Sequence, residues 1–187
     1  MLVHNGTLQL ETKRLILRRF TDADSEDMFN NWANDSDVTR CLSWKPHGTI
    51  QVTKEIISSW VKSYEKQDFY NWAIVLKDYG KVIGSIGVVN IINEHLWCEI
   101  GYCIGKKYWS KGIMTEALNK IIEYLIIVEG FNRVQAIHHL DNPASGKVML
   151  HAGMKHEGRL RHYFFNNQGN FVDCEMYSII KEEYRVG

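Results

Sequence analysis

The chain has 187 residues, enough to bury one sizeable core, and carries 22 basic and 22 acidic side chains for a formal net charge of zero. That balance gives no support for a general nucleic-acid or membrane-surface binder, which would need an excess of basic charge. The apolar run Leu125-Ile126-Ile127-Val128 is far too short to span a bilayer.

Leu8 to Phe20 contains Leu15-Ile16-Leu17 and reads as a first strand. Thr21 or Asp22 then offers an N-cap, followed by acidic residues, for a helix to about Asn34. A second helix is predicted over Thr49 to Lys66, where Ile50, Ile56, Ile57, Trp60, Val61 and Tyr64 recur near helical spacing. Trp72 to Leu76 and Lys81 to Ile92 flank the turn Asp78-Tyr79-Gly80 and predict an antiparallel hairpin. Leu96 to Ile104 is a further strand. Gly112 to Glu129 is helical, with Ala117, Leu118, Ile121, Ile122, Leu125 and Ile126 on one broad apolar face and Gly130 as its cap. Arg133 to His139 is a strand and Ala144 to Ala152 a short helix. Lys155 to Phe165 and Phe171 to Ile180 form the last two strands around Asn166-Asn167-Gln168-Gly169. This order gives a mixed α/β (α+β) fold.

The two prolines mark no linker, and there is no repeat or low-complexity tract, so residues 1–187 read as a single domain. Cys41, Cys98, Cys103 and Cys174 include no C-x-x-C pair, and the N-terminus shows no signal-peptide pattern. Together these predict a reduced, cytoplasmic protein. His138 and His139 are adjacent on a strand and face opposite sides, so they cannot chelate one metal together. His151, His156 and His162 lack zinc-ligand spacing, and no metal is expected.

The chemistry concentrates between Glu99 and Ala117. A strand ends near Gly105, a loop carries Trp109 and Ser110, and Gly112 opens a helix. The first N–H groups of a helix have no internal partners, and the helix dipole adds positive potential there. That suits a pyrophosphate. Gly112 lets a ligand approach the backbone, and Lys111 adds charge. On physics alone, an ordinary strand–loop–helix turn explains these residues equally well. The spacing is neither a Walker loop nor a dinucleotide fingerprint.

Tyr108-Trp109-Ser110-Lys111-Gly112-Ile113-Met114-Thr115-Glu116-Ala117-Leu118 closely resembles the W-G-K-G-Y-A-T-E-A-L block of the GNAT superfamily, particularly its RimJ/RimL-type N-acetyltransferases. Leu10 to Arg18 resembles the opening L-x-T-x-R-L-x-L-R. Glu99-Ile100-Gly101-Tyr102 resembles the fourth strand, Asn142-Pro143-Ala144-Ser145 the N-x-x-S helix start, and Gly153-Met154 with Glu157-Gly158 the G-F-x-x-E-G segment. These motifs stand in family order along nearly the whole chain. Met114 departs from the usual Ala, and its bulk is expected to narrow the phosphate site.

The resemblance implies the GNAT fold: a mixed, mostly antiparallel sheet of six to seven strands, about four flanking helices, and splayed strands 4 and 5. It implies an acetyl-CoA-dependent N-acetyltransferase acting by direct attack of an amine on the thioester. Backbone groups of Tyr102, Cys103 and Ile104 would pair with the pantetheine arm. Trp109, Ser110, Lys111, Gly112, Ile113, Met114 and Thr115 would form the pyrophosphate site, with Asn142 bonding the cofactor. Ser145 would protonate the leaving thiolate, although Ser145 and Asn142 equally suit helix capping. Glu99 would be the general base, with His162 and Tyr163 as fallbacks. For Cys103, plain apolar burial is the simpler reading.

Trp32, Trp44, Trp60, Tyr70, Trp72, Tyr163 and Phe164 are candidates for the acceptor surface, although plain core packing is the simpler reading for most of them. Asp22, Asp24, Glu26, Asp27, Asp35 and Asp37 are compatible with an acidic cleft for a cationic acceptor and equally fit the preference of helix N-termini for negative charge. The family suggests a protein N-terminal α-amine, as in ribosomal-protein acetylation. Aminoglycosides, polyamines and a non-catalytic acyl-CoA sensor are the alternatives, and homodimer formation is left open.

Overall fold

The computed structural model describes residues 2–184. The expected domain bounds, 1 and 187, lie outside the described residues. The first strand is in fact two, β1 (Leu10–Glu11) and β2 (Leu15–Arg18), paired antiparallel with Leu10 opposite Leu17. Thr12 reverses the chain between them. Its N–H donates to the Leu15 carbonyl, and its hydroxyl accepts from the Leu15 N–H.

Thr21 opens the first helical stretch, where its N–H and hydroxyl both donate to Asp24 Oδ2. Helix α1 (Ser25–Met28) runs into a π-helical turn over Phe29–Ala33. A short helix α2 (Ser36–Thr39) follows that periodicity did not reveal; Asp35 caps it by accepting from the N–H groups of Asp37 and Val38. Helix α3 (Ile50–Ser63) is the second expected helix. Strands β3 (Asn71–Leu76) and β4 (Lys81–Ile92) form the expected hairpin, and β5 is Trp97–Ile104. Helix α4 (Ile113–Glu123) ends in a second π-helical turn, Tyr124–Val128. Then come β6 (Arg133–His139), α5 (Pro143–His151), β7 (Lys155–Phe165) and β8 (Phe171–Ile180).

The strands form an eight-stranded sheet in the order β1-β2-β3-β4-β5-β6-β8-β7. This exceeds the expected six to seven strands because of the Thr12 turn. All neighbours are antiparallel except β5 and β6, which run parallel and pair only from Trp97/Arg133 to Glu99/Gln135. Beyond Glu99, β5 stays paired with β4 as far as Ile104 opposite Gly84 but has lost β6. The sheet therefore splays open at this point.

Side-chain alternation builds a core on each face. Trp72, Ile74, Cys98, Ile100, Val134 and Ala136 pack with α4 and α5 on one face. Ala73, Val75 and Val82 pack with Met28, Trp32 and Ile57 on the other. Each large side chain so buried contributes about 1.5–3 kcal/mol. The N-terminal segment is fastened by Glu129, a carboxylate only 1% exposed that accepts from the Asn5 N–H and the Tyr70 hydroxyl.

Candidate active site

The splay creates the site. A cleft of about 590 Å³ runs along it, walled by residues from β5, β6 and α5 and by aromatics from the first helices. Along β5, Ile100, Tyr102 and Ile104 face α4 and α5, whereas Cys103 packs toward the other core. Alternation places Glu99 and Gly101 on that second face as well. Ser145, near the start of α5, and Glu99 thus approach the gap from opposite faces of the sheet.

Asn142 caps α5, its side-chain oxygen accepting from the Ser145 N–H at 3.4 Å. Among the described residues its Nδ2 amide makes no hydrogen bond. Ser145 Oγ lies 2.9 Å from the Tyr102 hydroxyl, which also reaches the Ser145 carbonyl at 3.1 Å. Burial raises the Tyr102 pKa far above that of an ordinary phenol, outweighing the opposing effect of its bond to Ser145.

Glu99 is buried, 8% exposed, and its Oε2 accepts from Gln135 Nε2 at 2.9 Å. The orientation of that amide is fixed from behind. Arg133 Nε, which can only donate, bonds Gln135 Oε1 at 3.2 Å, so Nε2 must face Glu99. Arg133 is itself held by Glu157, whose pKa its hydrogen bonds pull down to about 2. No hydrogen bond occupies Glu99 Oε1 among the described residues.

Cys103 also lines the cleft, and burial pushes its thiol up to about 11, against hydrogen bonding to Ser85. It is a thiol rather than a thiolate near neutral pH. His138, 8% exposed, donates from Nδ1 to the His139 carbonyl at 2.8 Å, and its Nε2 is directed at α5. A Cβ on Gly146 would meet that nitrogen at 2.6 Å, which explains a glycine inside a helix. The described residues contain no cluster of three His, Cys, Asp or Glu able to hold a metal.

Residues 109–115 do not line the cleft; residues 109–112 are exposed, whereas Ile113 and Met114 are buried. Trp109 anchors it by donating from Nε1 to the Ile104 carbonyl at 2.9 Å. Ser110 (φ 57°) and Gly112 (φ 69°) are both left-handed, and Gly112 is the N-cap of α4. The Glu116 N–H donates to the Gly112 carbonyl, so the N–H groups of Ile113, Met114 and Thr115 precede the helical ladder. Met114 is 5% exposed, with its side chain in the main core. Its bulk is therefore absorbed by the interior.

Sequence reasoning missed the brace under this loop. Arg14 donates from Nη1 to the Lys111 carbonyl at 2.9 Å and from Nε to Glu116 Oε2 at 2.6 Å. The Thr12 hydroxyl and Arg14 N–H both donate to Glu116 Oε1. Burial pushes the Glu116 pKa up, but these donors outweigh it and leave it below the ordinary value. A lowered carboxylate pKa contributes stability above its unfolded value, about 4.3, and loses it as pH falls through the folded one. The melting-temperature gap between wild type and Glu116→Gln is therefore expected to be widest at about pH 6 and to narrow toward about pH 3. A gap independent of pH would show that the charge contributes nothing.

The candidate acids near the first helix do not line the cleft. Asp24 pairs with Arg18, Asp27 with Lys81 and Asp37 with Lys106, while Asp35 caps α2. Of the aromatic candidates, Trp32, Trp44, Trp60, Tyr70 and Phe164 line it. Trp72 is buried in the core on the α4/α5 face. His162 and Tyr163, the fallback bases, sit where β7 slips register against β8 between Leu160 and Phe164, and neither lines the cleft. Tyr163 is 49% exposed; burial first, then the charge of Glu99, raises its phenol pKa.

Residues 14–155 match the family described as acetyltransferase (GNAT) domain. The chain is 35% identical to the uncharacterized N-acetyltransferase YoaA of Bacillus subtilis (strain 168), covering 92% of this chain and 96% of that protein. It is 26% identical to the [ribosomal protein uS5]-alanine N-acetyltransferase of Escherichia coli (strain K12), over 83% and 82% of the two chains. The crystal structure of a GNAT-family acetyltransferase from Bacillus anthracis superposes with a TM-score of 0.82 at 24% identity, over 94% and 99%. The open strand pair beside the glycine-capped helix is thus found in a chain that matches this family over most of its length, and the protein is an N-acetyltransferase of the GNAT family.

Proposed function

We propose that the protein, acting as a single GNAT domain, transfers acetyl from acetyl-CoA to the N-terminal α-amine of a polypeptide by direct attack. The composition of the cleft wall carries the choice of acceptor. Among the described residues Glu99 is its only acidic side chain, and Trp44, Trp60 and Phe164 add aromatic surface. A polyamine or aminoglycoside carries several charges that would be desolvated there without partners, at considerable cost. A peptide N-terminus brings one amine on an amphipathic body, which this wall suits. The relative named for the alanine of ribosomal protein uS5 makes ribosomal proteins the first acceptors to test.

In this reading the turn from Trp109 to Thr115 offers main-chain N–H groups to the pyrophosphate. Among the described residues the β6-facing edge of Tyr102, Cys103 and Ile104 has no strand partner and is free to pair with the pantetheine amides. Asn142 reaches the cofactor through Nδ2. Acetyl-CoA supplies the activated acyl group.

Glu99 Oε1 takes a proton from the ammonium through water, and the neutral nitrogen attacks the thioester carbon. A C–N bond forms and the C–S bond breaks. The sulfur leaves under a hydrogen bond from Ser145 and receives, through that hydroxyl and water, the proton that the nitrogen sheds as it becomes an amide. A thiol of pKa about 8.5 needs only modest help to leave. The test is a thiol-release screen with acetyl-CoA across N-terminal peptides, aminoglycosides and polyamines. Release with peptides alone is expected; release with polyamines alone would overturn the acceptor assignment, and release with none would favour a non-catalytic sensor.

A further inference from the structure

The Tyr102 side chain crosses the splay, and the acetyl-transfer scheme gives it no task. It leaves β5 three residues beyond the last pairing with β6, on the face of α4 and α5, and ends on Ser145. We propose that Tyr102 is a positioning residue that turns the Ser145 hydroxyl proton into the gap, toward the CoA sulfur. This rests on the reading of Ser145 as the group that serves the leaving thiolate.

Each of the two hydroxyls carries one hydrogen, and two arrangements place a hydrogen across the 2.9 Å separation between them. In the first, Tyr102 donates to the Ser145 carbonyl at 3.1 Å, and Ser145 donates back to the Tyr102 oxygen at 2.9 Å. The serine proton is then spent inside the pair. In the second, Tyr102 donates to Ser145 Oγ across the same 2.9 Å, and the serine proton must find an acceptor elsewhere. A sulfur gaining negative charge in the gap is such an acceptor, so the second arrangement strengthens as the C–S bond breaks. The backbone carbonyl of Ser145 holds the tyrosine hydrogen until then. Burial keeps the phenol protonated through the neutral range, so it remains a donor at working pH. Phenylalanine would fill the same space without the hydrogen.

Steady-state kinetics with acetyl-CoA and an acceptor peptide test this in Tyr102→Phe, Ser145→Ala and the double variant. Tyr102→Phe is expected to lower kcat about 10-fold, the effect of one hydrogen bond, with KM for acetyl-CoA within about 2-fold of wild type. Ser145→Ala is expected to lower kcat about 100-fold, and the double variant to match Ser145→Ala alone. Wild-type kcat in Tyr102→Phe while Ser145→Ala is impaired would overturn the proposal and leave Ser145 standing. Multiplicative losses in the double variant would show that the two act independently, and would also overturn it. Wild-type turnover in Ser145→Ala would sink the reading of Ser145 itself, and a loss confined to Tyr102→Phe would then mark the tyrosine as acting without the serine. Unchanged melting temperatures separate all these outcomes from misfolding.

Discussion

Glu99→Gln is expected to lower kcat/KM for the acceptor about 100- to 10,000-fold, the usual range for losing a general base, with acetyl-CoA affinity unchanged. The substitution is mild for the fold. Glutamine keeps the shape of the side chain, and its amide oxygen can accept the same bond that Gln135 Nε2 gives to Glu99 Oε2. What it removes is the ability of Oε1 to take a proton. Because Arg133 and Glu157 fix the Gln135 amide from behind, the local structure has little freedom to rearrange around the change. The acidic limb of the pH–rate profile should vanish with the carboxylate. A variant that retains both the limb and near-normal rates would show that the amine arrives neutral or loses its proton elsewhere.

Gly112→Val should act on the donor instead. It is expected to weaken acetyl-CoA binding about 100-fold, measured by calorimetric titration, as two charge-assisted bonds from the loop are lost. The space toward the protein is not the obstacle: the nearest atom to an added Cβ is Arg14 Nη2 at 3.7 Å. The difficulty is backbone shape. Gly112 sits at φ 69°, where an L-residue pays roughly 1–2 kcal/mol, more for a β-branched one, and the loop should shift to relieve it. A modest loss of thermal stability with a large loss of affinity is the expected signature. Equal affinity in both proteins would remove this loop from the pyrophosphate site.

Much of this was legible in the sequence, for reasons that differ by element. Lys81–Ile92, Arg133–His139, Lys155–Phe165 and Phe171–Ile180 are strands with the bounds read from their Val, Ile and aromatic content and the glycine turns around them. The break at Thr12 was not visible, because it depends on one hydroxyl satisfying the Leu15 N–H. Both π-helical turns read as continuous helix, since an inserted residue barely disturbs apolar spacing.

The site divides in the same way. The loop, the capping Asn142 and the carboxylate at Glu99 belong to contiguous motifs and could be read from them. The contacts that organise them could not: Tyr102 with Ser145 is 43 residues apart, Gln135 with Glu99 is 36, and Arg14 with Glu116 is 102. The acids near the first helix misled for a related reason. Their charge suggested a cationic ligand, but most of them are taken up by Arg18, Lys81, Lys106 and a helix cap.

The acceptor is best tested with one peptide that carries both a free N-terminus and an internal lysine, incubated with the enzyme and acetyl-CoA and then sequenced by tandem mass spectrometry. The proposed function predicts acetyl on the α-amine and an unmodified lysine, with no product when the N-terminus is blocked. Acetyl on the lysine, or product from the blocked peptide, would contradict it.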